Sequence, residues 1–547
     1  MTDPVLTAEA MRAADERAIQ EYGIPSFTLM ESAGRAAARY AAERYGPPSS
    51  LSAVVWVGKG NNGGDGLVIA RKLYSLGARV QVLTLTGAGE MSEDPARNLR
   101  LLQRLTERQD GRRLRIERFD AKRHLGAPNA SSDRDTSSEH HPEGPVPPAD
   151  LHVDALLGTG LTSELRSPVR EIVDALNQAV APVLALDVPT GLDGDRGSVL
   201  GAAVKADATV TMAAPKAGLI LGEGPRRAGT VEVAEIGIPR FILEEAAEAF
   251  GCPRTVDDET VRSWLPARTQ EAHKYAVGMV LAVAGSPGLT GAPVMASTAA
   301  ARIGAGAVVC ASPDSVQDVL AQKMTEVMTL GLPSSRHGGL AEHALEEEGF
   351  RDRLEKADTL LLGCGLGRES GTQAAVRRLL AETNRPAVID ADGLNALTGH
   401  TDLLTEHARG RFILTPHPGE FRRLVPGEYE GSDRVEAARE YAERWNCVLL
   451  LKGMPAVVGT PEGEVYVNRT GNPSVASAGT GDVLAGWCAG LLAQGLTPTR
   501  AAVGALHVGG AVADSWVADR DERSLLATDL IDHVPTVLKR RFAASSR

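Results

Sequence analysis

Aromatic residues make up only 4% of this 547-residue chain, and cysteine is scarcer still. The five cysteines, Cys252, Cys310, Cys364, Cys447 and Cys488, are scattered, and no two form a C-x-x-C pair. That pattern excludes a disulfide framework or a thiolate zinc site and leaves buried single thiols in a reducing compartment. Long apolar runs are missing as well. The stretch Ser474 to Leu496 is broken by Asp482, so no membrane-spanning helix is expected. Met1-Thr2-Asp3-Pro4 lacks a basic region followed by an apolar core, so no signal peptide is expected and the chain reads as cytoplasmic. Excess positive charge is absent: 58 Lys and Arg against 70 Asp and Glu give −12. This argues against a nucleic acid or an anionic membrane as partner. No G-x-x-x-x-G-K-[ST] occurs, which excludes P-loop nucleotide binding.

What the chain has is glycine, 58 in all, with 43% hydrophobic and 23% charged residues. Those proportions belong to a folded chain packed through Ala, Val and Leu with many tight turns. Helical patterns run from Thr7 to Glu21 and from Pro25 to Tyr45. Strand Ala53–Val57, a Gly/Asn-rich loop, a helix to Leu76 and strand Arg79–Leu85 then give the strand-helix-strand signature of a parallel sheet. Apolar runs at 151–154, 183–186 and 208–211 continue it. Gly126 to Asp150, rich in Pro, Ser, Asp and Glu and carrying His140-His141, is expected to be a mobile surface insertion. Phe241 to Pro253 reads as a connector. A second α/β series follows, with strands expected at 279–284, 307–311, 359–362, 387–390, 412–415 and 447–451. The expectation is two α/β domains, 1–240 and 255–547, joined by 241–254.

Chemistry-bearing residues gather where strands end. Gly58-Lys59-Gly60-Asn61-Asn62-Gly63-Gly64-Asp65-Gly66 satisfies G-x-G-x-x-G between a strand and a helix, a place where backbone can approach a phosphate. Leu83-Thr84-Leu85-Thr86 lacks the acidic partner of a redox dinucleotide site. A tight packing turn would explain the glycines but not Asn61, Asn62 and Asp65. Asp154 precedes Gly158-Thr159-Gly160, and Asp187 opens Asp187-Val188-Pro189-Thr190-Gly191. Carboxylate, amide and hydroxyl oxygens of this kind suit an alkali or alkaline-earth cation and suit zinc poorly; a helix-capping Asp is the plainer alternative for either. In the second series Gly479-Thr480-Gly481-Asp482 opens an Ala/Leu-rich helix. Its amides would face an anion, and Asp482 could take a proton beside a transferring phosphoryl group. His417, between two prolines at a strand end, reads as a site residue with a structural role as competitor. Lys452 would reach a nucleotide phosphate or, as the competing reading, cover a strand end with its stem.

Taken in order, these motifs, with D-V-P-T-G-L-D and T-P-H-P-G-E, resemble the bifunctional NAD(P)H-hydrate repair enzymes over nearly the whole length. The resemblance implies a Rossmann-like three-layer epimerase domain followed by a ribokinase-like dehydratase domain. It implies that Asn61, Asn62, Gly63, Gly64 and Asp65, with Gly158, Thr159, Gly160, Leu161, Thr162, Ser163 and Glu164, bind hydrated NADH or NADPH. Asn62, Asp154 and Thr190 would hold potassium, and Asp187 would contact the reacting ring as acid/base. In the dehydratase, Ala292, Gly365, Gly367, His417 and Asp482 would hold the S hydrate. Lys452, Gly453, Met454, Pro455 and Ala456, with Asn472, Gly479, Thr480 and Gly481, would hold ADP accompanied by Mg2+. A homo-oligomer is expected. The rival reading is a ribokinase-like vitamin or sugar kinase fused to a non-catalytic scaffold domain.

Overall fold

The computed structural model describes residues 2–107, 113–125, 144–268, 273–427, 429 and 433–543. It divides into two compact units, one spanning Pro4–Pro253 and the other running from Arg254 onward together with the residues up to Asp3.

In the first unit, helices α1 (Ala8–Gln20) and α2 (Ser26–Tyr45) precede the sheet. Thr7 caps α1, its Oγ1 accepting from Ala10 N at 3.2 Å. Strands β1 (Ser52–Val57), β2 (Arg79–Thr84), β3 (Leu114–Arg118), β4 (Leu151–Ala155), β5 (Val183–Leu186), β6 (Ala208–Met212) and β7 (Thr230–Ala234) form one seven-stranded sheet in the order β3-β2-β1-β4-β5-β6-β7. Every pairing is parallel. The central strands read as unbroken apolar runs because helices cover both faces. Helix α3 (Asn61–Ser75) follows β1. The order reverses between β1 and β4, so the crevice of an open α/β sheet lies at their C-terminal ends.

Two expectations about this unit need correction. The supposed connector contains helix α4 (Arg240–Ala249), which buries Ile242, Leu243, Ala246 and Ala247 in the first unit's core. Its apolar stripe belongs to a domain, so the division falls after Pro253. Of the insertion expected at 126–150, residues 126–143, including His140 and His141, lie outside the described residues. Its last part is not loose: Val146 is buried with Trp56 and Leu156, and Asp150 accepts from Ser52 N at 2.8 Å and Ser52 Oγ at 2.7 Å.

The second unit is built on β8 (Met279–Val283), β9 (Ala307–Pro313), β10 (Met328–Leu332), β11 (Thr359–Leu362), β12 (Ala387–Ile389), β13 (Phe412–Leu414), β14 (Val448–Leu451), β15 (Val457–Gly459) and β16 (Val465–Val467). Their order is β16-β15-β14-β13-β12-β11-β8-β9-β10, with short strands Arg254–Thr255 and Asp3–Pro4 completing the β16 edge. From β14 to β10 the pairing is parallel, and β15 and β16 turn back antiparallel. Helices α5 (Gly291–Arg302), α6 (Pro418–Leu424), α7 (Thr480–Ala493) and α8 (Pro498–Val517) matter most for the site. α5 and α7 pack through small residues; a Cβ at Gly486 would sit 2.2 Å from Ala296 O. Here the reversal lies between β8 and β11, with the expected site loops again at C-terminal strand ends.

Candidate active sites

In the first unit a cavity of about 480 Å³ opens at the sheet's reversal point. Asn61 and Asn62 open α3 beneath it, and Gly158, Thr159, Gly160 and Leu161 line it after β4. Close backbone approach is what the first glycine supplies: a Cβ on Gly58 would lie 1.8 Å from Leu156 O. Gly63 and Gly64 are packing residues of α3, against Gly58 O and Met30 respectively, and neither lines the cavity. Thr162, Ser163 and Glu164 are exposed and outside its lining.

Asp187 follows β5 with φ 63°, a left-handed conformation that Asp tolerates better than most residues. Its amide donates to Val210 O at 2.8 Å, which pins it in that conformation. Lys216, 1% exposed, brings Nζ to 2.7 Å from Asp187 Oδ1 and also donates to Met212 O at 2.6 Å and Thr211 Oγ1 at 3.1 Å. Burial, with Asp187 and Asp15 nearby, pushes the Asp65 carboxyl well above the usual range. Asp15, on α1, is pushed up to about 6 chiefly by burial.

Asp154 is fully buried and closed on Thr190: Oδ2 accepts from Thr190 N at 2.8 Å and Oδ1 from Thr190 Oγ1 at 2.7 Å. Burial pushes it up to about 6 against the pull of those bonds. Asn62 has both side-chain atoms buried with no hydrogen-bond partner among the described residues. An orphaned amide oxygen, a carboxylate and a hydroxyl make a hard oxygen donor set that fits an alkali cation.

In the second unit Gly479 caps α7 at φ 91°, a conformation suited to glycine, where a Cβ would also meet Met295 Cε at 2.6 Å. The first amides of a helix lack intrahelical acceptors; that of Thr480 reaches only Ser477 O, at 3.5 Å, and that of Gly481 is left to face an anion. Lys452 Nζ lies 3.0 Å from where a Gly481 Cβ would be. The lysine is mostly buried and pairs with Asp390 Oδ1 at 2.7 Å. Burial pulls its ammonium down, but Asp390 and Glu420 override that and hold it above the usual value. Asp482, in the first turn of α7, is pushed up to about 6 by burial and the nearby Asp390, against a hydrogen bond from the Cys364 thiol. Donor atoms of Cys364, Asp390 and Asp482 lie within 4.8 Å of one another. A soft thiol and an aspartate already taken by lysine do not make a magnesium cage.

The surrounding loops close on this cluster. Ser286 Oγ donates to Gly365 O at 2.9 Å, Gly367 N to Asp392 Oδ2 at 2.9 Å, and a Cβ on Gly365 would touch Ala292 at 3.2 Å. His417 caps α6: its Nδ1 accepts from Gly419 N at 3.0 Å while Glu420 Oε2 accepts from His417 N at 3.0 Å. The ring is half exposed, so it combines a capping role with an accessible face. Arg434 holds the Lys452-Gly453 turn, donating to Leu451 O at 2.9 Å and Lys452 O at 2.8 Å. Met454 is exposed, and Ala456 O accepts from Asn468 N at 3.0 Å. Asp514 orders the 471–472 turn through Gly471 N and Asn472 Nδ2, each at 2.9 Å.

Sequence reasoning missed Asp15, Lys216, Asp390 and Glu420. Asp390 carried the signal already used for Asp154 and Asp187, a carboxylate ending an apolar strand. Asp15 carried another, an acid in line with Met11 and Ile19 on one helix face.

These two crevices define a two-domain α/β enzyme, one site gathering buried carboxylates and the other setting a lysine and a carboxylate at a helix N-terminus. The family profile described as NAD(P)H-hydrate dehydratase matches residues 280–536, and the one described as YjeF-related protein N-terminus matches residues 26–218. The bifunctional NAD(P)H-hydrate repair enzyme of Salinibacter ruber is 51% identical over 545 residues, 100% of this chain and 98% of that one. That of Moorella thermoacetica is 40% identical, covering 98% and 96%. An ADP/ATP-dependent NAD(P)H-hydrate dehydratase of Bacillus subtilis, co-crystallized with ATP/Mg2+, is 29% identical, covers 53% of this chain and 98% of its own, and has a TM-score of 0.43. The chain belongs to the bifunctional NAD(P)H-hydrate repair enzymes, which join an isomerase to a lyase. That assignment sets aside the fused kinase with a non-catalytic scaffold. Among the described residues no helix is long and apolar enough to cross a membrane.

Proposed function

We propose that the first domain interconverts the R and S forms of hydrated NADH and NADPH around Asp187, and that the second dehydrates the S form with ADP, giving AMP and phosphate. The observation that carries this reading is Asp482 at the mouth of the Gly479 turn, beside a lysine fixed by a buried carboxylate. Hydroxide is a poor leaving group, its conjugate acid having a pKa of about 15.7. Asp482 takes the proton of the substrate hydroxyl as that oxygen attacks the β-phosphoryl group. The Gly479, Thr480 and Gly481 amides and the Lys452 ammonium hold the charge on the transferring oxygens. Phosphate then departs, pushed out by the lone pair of the ring nitrogen, and the iminium so formed loses a proton from the adjacent ring carbon to the departing phosphate, which restores the dihydropyridine. Ala292, Gly365, Gly367 and His417 frame the hydrate; Lys452 to Ala456 and Asn472 to Gly481 frame the nucleotide. Magnesium would arrive on the nucleotide's own phosphates.

In the first domain Asn61, Asn62 and Asp65, with the 158–164 loop, cradle the hydrated cofactor. Asn62, Asp154 and Thr190 would hold potassium, supported by the orphaned Asn62 amide and the oxygen chemistry of the set. When bound, that ion supplies a fixed positive charge near the substrate's oxygens. We further assign the chain to the cytoplasm and to a homo-oligomer, which sedimentation of the purified protein checks. The test of the function mixes the protein with acid-hydrated NADH and ADP, or ATP. Near-ultraviolet absorbance should return as inorganic phosphate appears. A stable phosphoester with no recovery of absorbance would overturn it.

A further inference from the structure

Epimerisation at a carbon bearing both a hydroxyl and the ring nitrogen moves two protons, one off oxygen and one onto nitrogen. One carboxylate handles one of them at a time. The first domain's cavity contains a second candidate that the motifs do not mark. Asp15 lines the same cavity as Asp187 and comes from α1, ahead of residues 26–218, which the YjeF-related N-terminal profile matches. Ala8, Met11 and Ile19 line it from the same helix face, so an acid at this position sits where an apolar residue would pack more cheaply. Among the described residues no hydrogen-bond donor serves its carboxyl group. The helix that carries it is fixed, since Ala8 N donates to Asp195 Oδ1 at 2.6 Å and Thr7 caps the first turn.

Asp187 is fixed in another way. Lys216 is almost wholly buried, and Asp187 Oδ1, Thr211 Oγ1 and Met212 O surround its ammonium. Lys216 borders the cavity, but its ammonium is taken up by these three oxygens, so it sets the position and supplies the counter-charge of the aspartate.

Resting on the epimerase reading above, we propose that Asp15 is the second proton-transfer residue of the first domain, paired with Asp187, and that Lys216 is the positioning residue that fixes Asp187. Asp187 removes the hydroxyl proton of the hydrate, and the carbon–nitrogen bond breaks with its electron pair going to nitrogen. Asp15, as the acid, protonates that nitrogen, leaving an aldehyde and an open-chain enamine. Rotation presents the aldehyde's other face. Nitrogen then attacks it, returning its proton to Asp15, while the new alkoxide takes back the proton held by Asp187. Atoms and electrons balance without oxidant or water.

The groups facing Asp15 are Arg12 and Glu16 on its own helix, Asp65 from α3, Asp187 and Lys216, with Lys59 and Asp94 at the cavity's border. Burial pushes Asp15 up to about 6, so the acid form is lost as pH rises through that value.

The test uses the full chain and the chromatographically separated R hydrate of NADH without nucleotide, following the S form and subtracting the rate without protein. Asp15→Asn should slow conversion by about 100-fold, and Asp15→Glu should restore part of it. The wild-type rate should fall above pH of about 6, and that limb should vanish in Asp15→Asn. Lys216→Met should lower kcat more than it raises KM. Dehydration of the S form by the second domain reports that each variant remains intact. Retention of rate and pH profile by Asp15→Asn overturns the proposal while leaving the epimerase reading standing. If Asp15→Asn proves unstable, an unchanged profile in Asp15→Glu overturns it instead. A wild-type protein that converts R to S no faster than buffer overturns the epimerase reading and the proposal together.

Discussion

In the first domain a buried lysine, Lys216, reaches the proposed catalytic carboxylate itself, 2.7 Å from Asp187 Oδ1. In the second, Lys452 reaches a neighbour, Asp390 Oδ1, at the same 2.7 Å, and among the described residues Asp482 has no ion pair. The difference lies in what each aspartate must do. Asp187 borrows a proton and returns it within the same turnover, so a counter-charge can hold it in place throughout, at the cost of a weaker base. Asp482 must collect a proton while a phosphoryl group is crossing beside it. With Asp390 near and a thiol as its hydrogen-bond donor, burial pushes it to about 6, close to the working pH that favours proton transfer. The lysine is then free to serve the phosphoryl oxygens from the mouth of α7.

The comparison breaks most sharply at Asp482. Asp482→Ala should lower dehydration of the S form by about 10³-fold while R and S still interconvert, as chromatography without nucleotide would read. Asp187→Ala should do the reverse, leaving the S form consumable and stranding the R form. Equal consumption of both epimers by that variant would refute the division of labour. Next in size is the lysine pair. Lys452→Met leaves Asp390, only 2% exposed, as a charge without its partner and should cost about 3–5 kcal/mol in chemical denaturation. Asp390→Asn added to Lys452→Met should recover most of that stability and none of the activity.

How far the residues reveal these sites follows from sequence distance. Loops that carry their own chemistry, such as 58–66, 154–160 and 479–482, announce themselves because turn, glycine and carboxylate lie together. The central strands were equally plain, being apolar throughout. Partners delivered from elsewhere in the fold were not. Lys216 lies 29 residues beyond Asp187 and Asp15 lies 172 before it, and nothing local marks either as facing the same cavity. Strand β3, Leu-Arg-Ile-Glu-Arg, is a sheet edge with half its side chains in water, so it lacks the apolar run that marked its neighbours. Helix α4 was legible: Ile242, Leu243, Ala246 and Ala247 repeat at helical spacing. The end of the strand rhythm there suggests a connector, but the helical periodicity is the better guide.

A milder way to sharpen the comparison is pH. If Asp482 must be ionised to act, dehydration should fall about tenfold per unit below pH of about 6. Asp390 helps to hold Asp482 up, so Asp390→Asn removes a like charge and frees Lys452 to act on Asp482. Both changes favour the carboxylate, and the acid limb should move to lower pH even as the maximal rate drops. An acid limb that stays put would mean that Asp390 acts only as an anchor for the lysine.

The smallest effect concerns what an unpaired buried acid costs. Asp482 goes from 3.8 to about 6 on folding, so the folded chain holds its proton more tightly than the unfolded one. Stability from this group is therefore highest below pH of about 4, falls as pH rises, and reaches its full penalty above about 6. At about 1.4 kcal/mol per unit the ceiling is about 3 kcal/mol, and the partial water access of the side chain reduces it to roughly 1–2 kcal/mol. Asp482→Asn removes the charge and keeps the shape. It should therefore stabilise the protein by that amount in denaturation at pH 7.5, lose the gain at pH 4, and be inactive at both. A variant equally stable to the wild type at the two pH values would show that the carboxylate is solvated in the folded state, and the contrast with Asp187 would then rest on geometry alone.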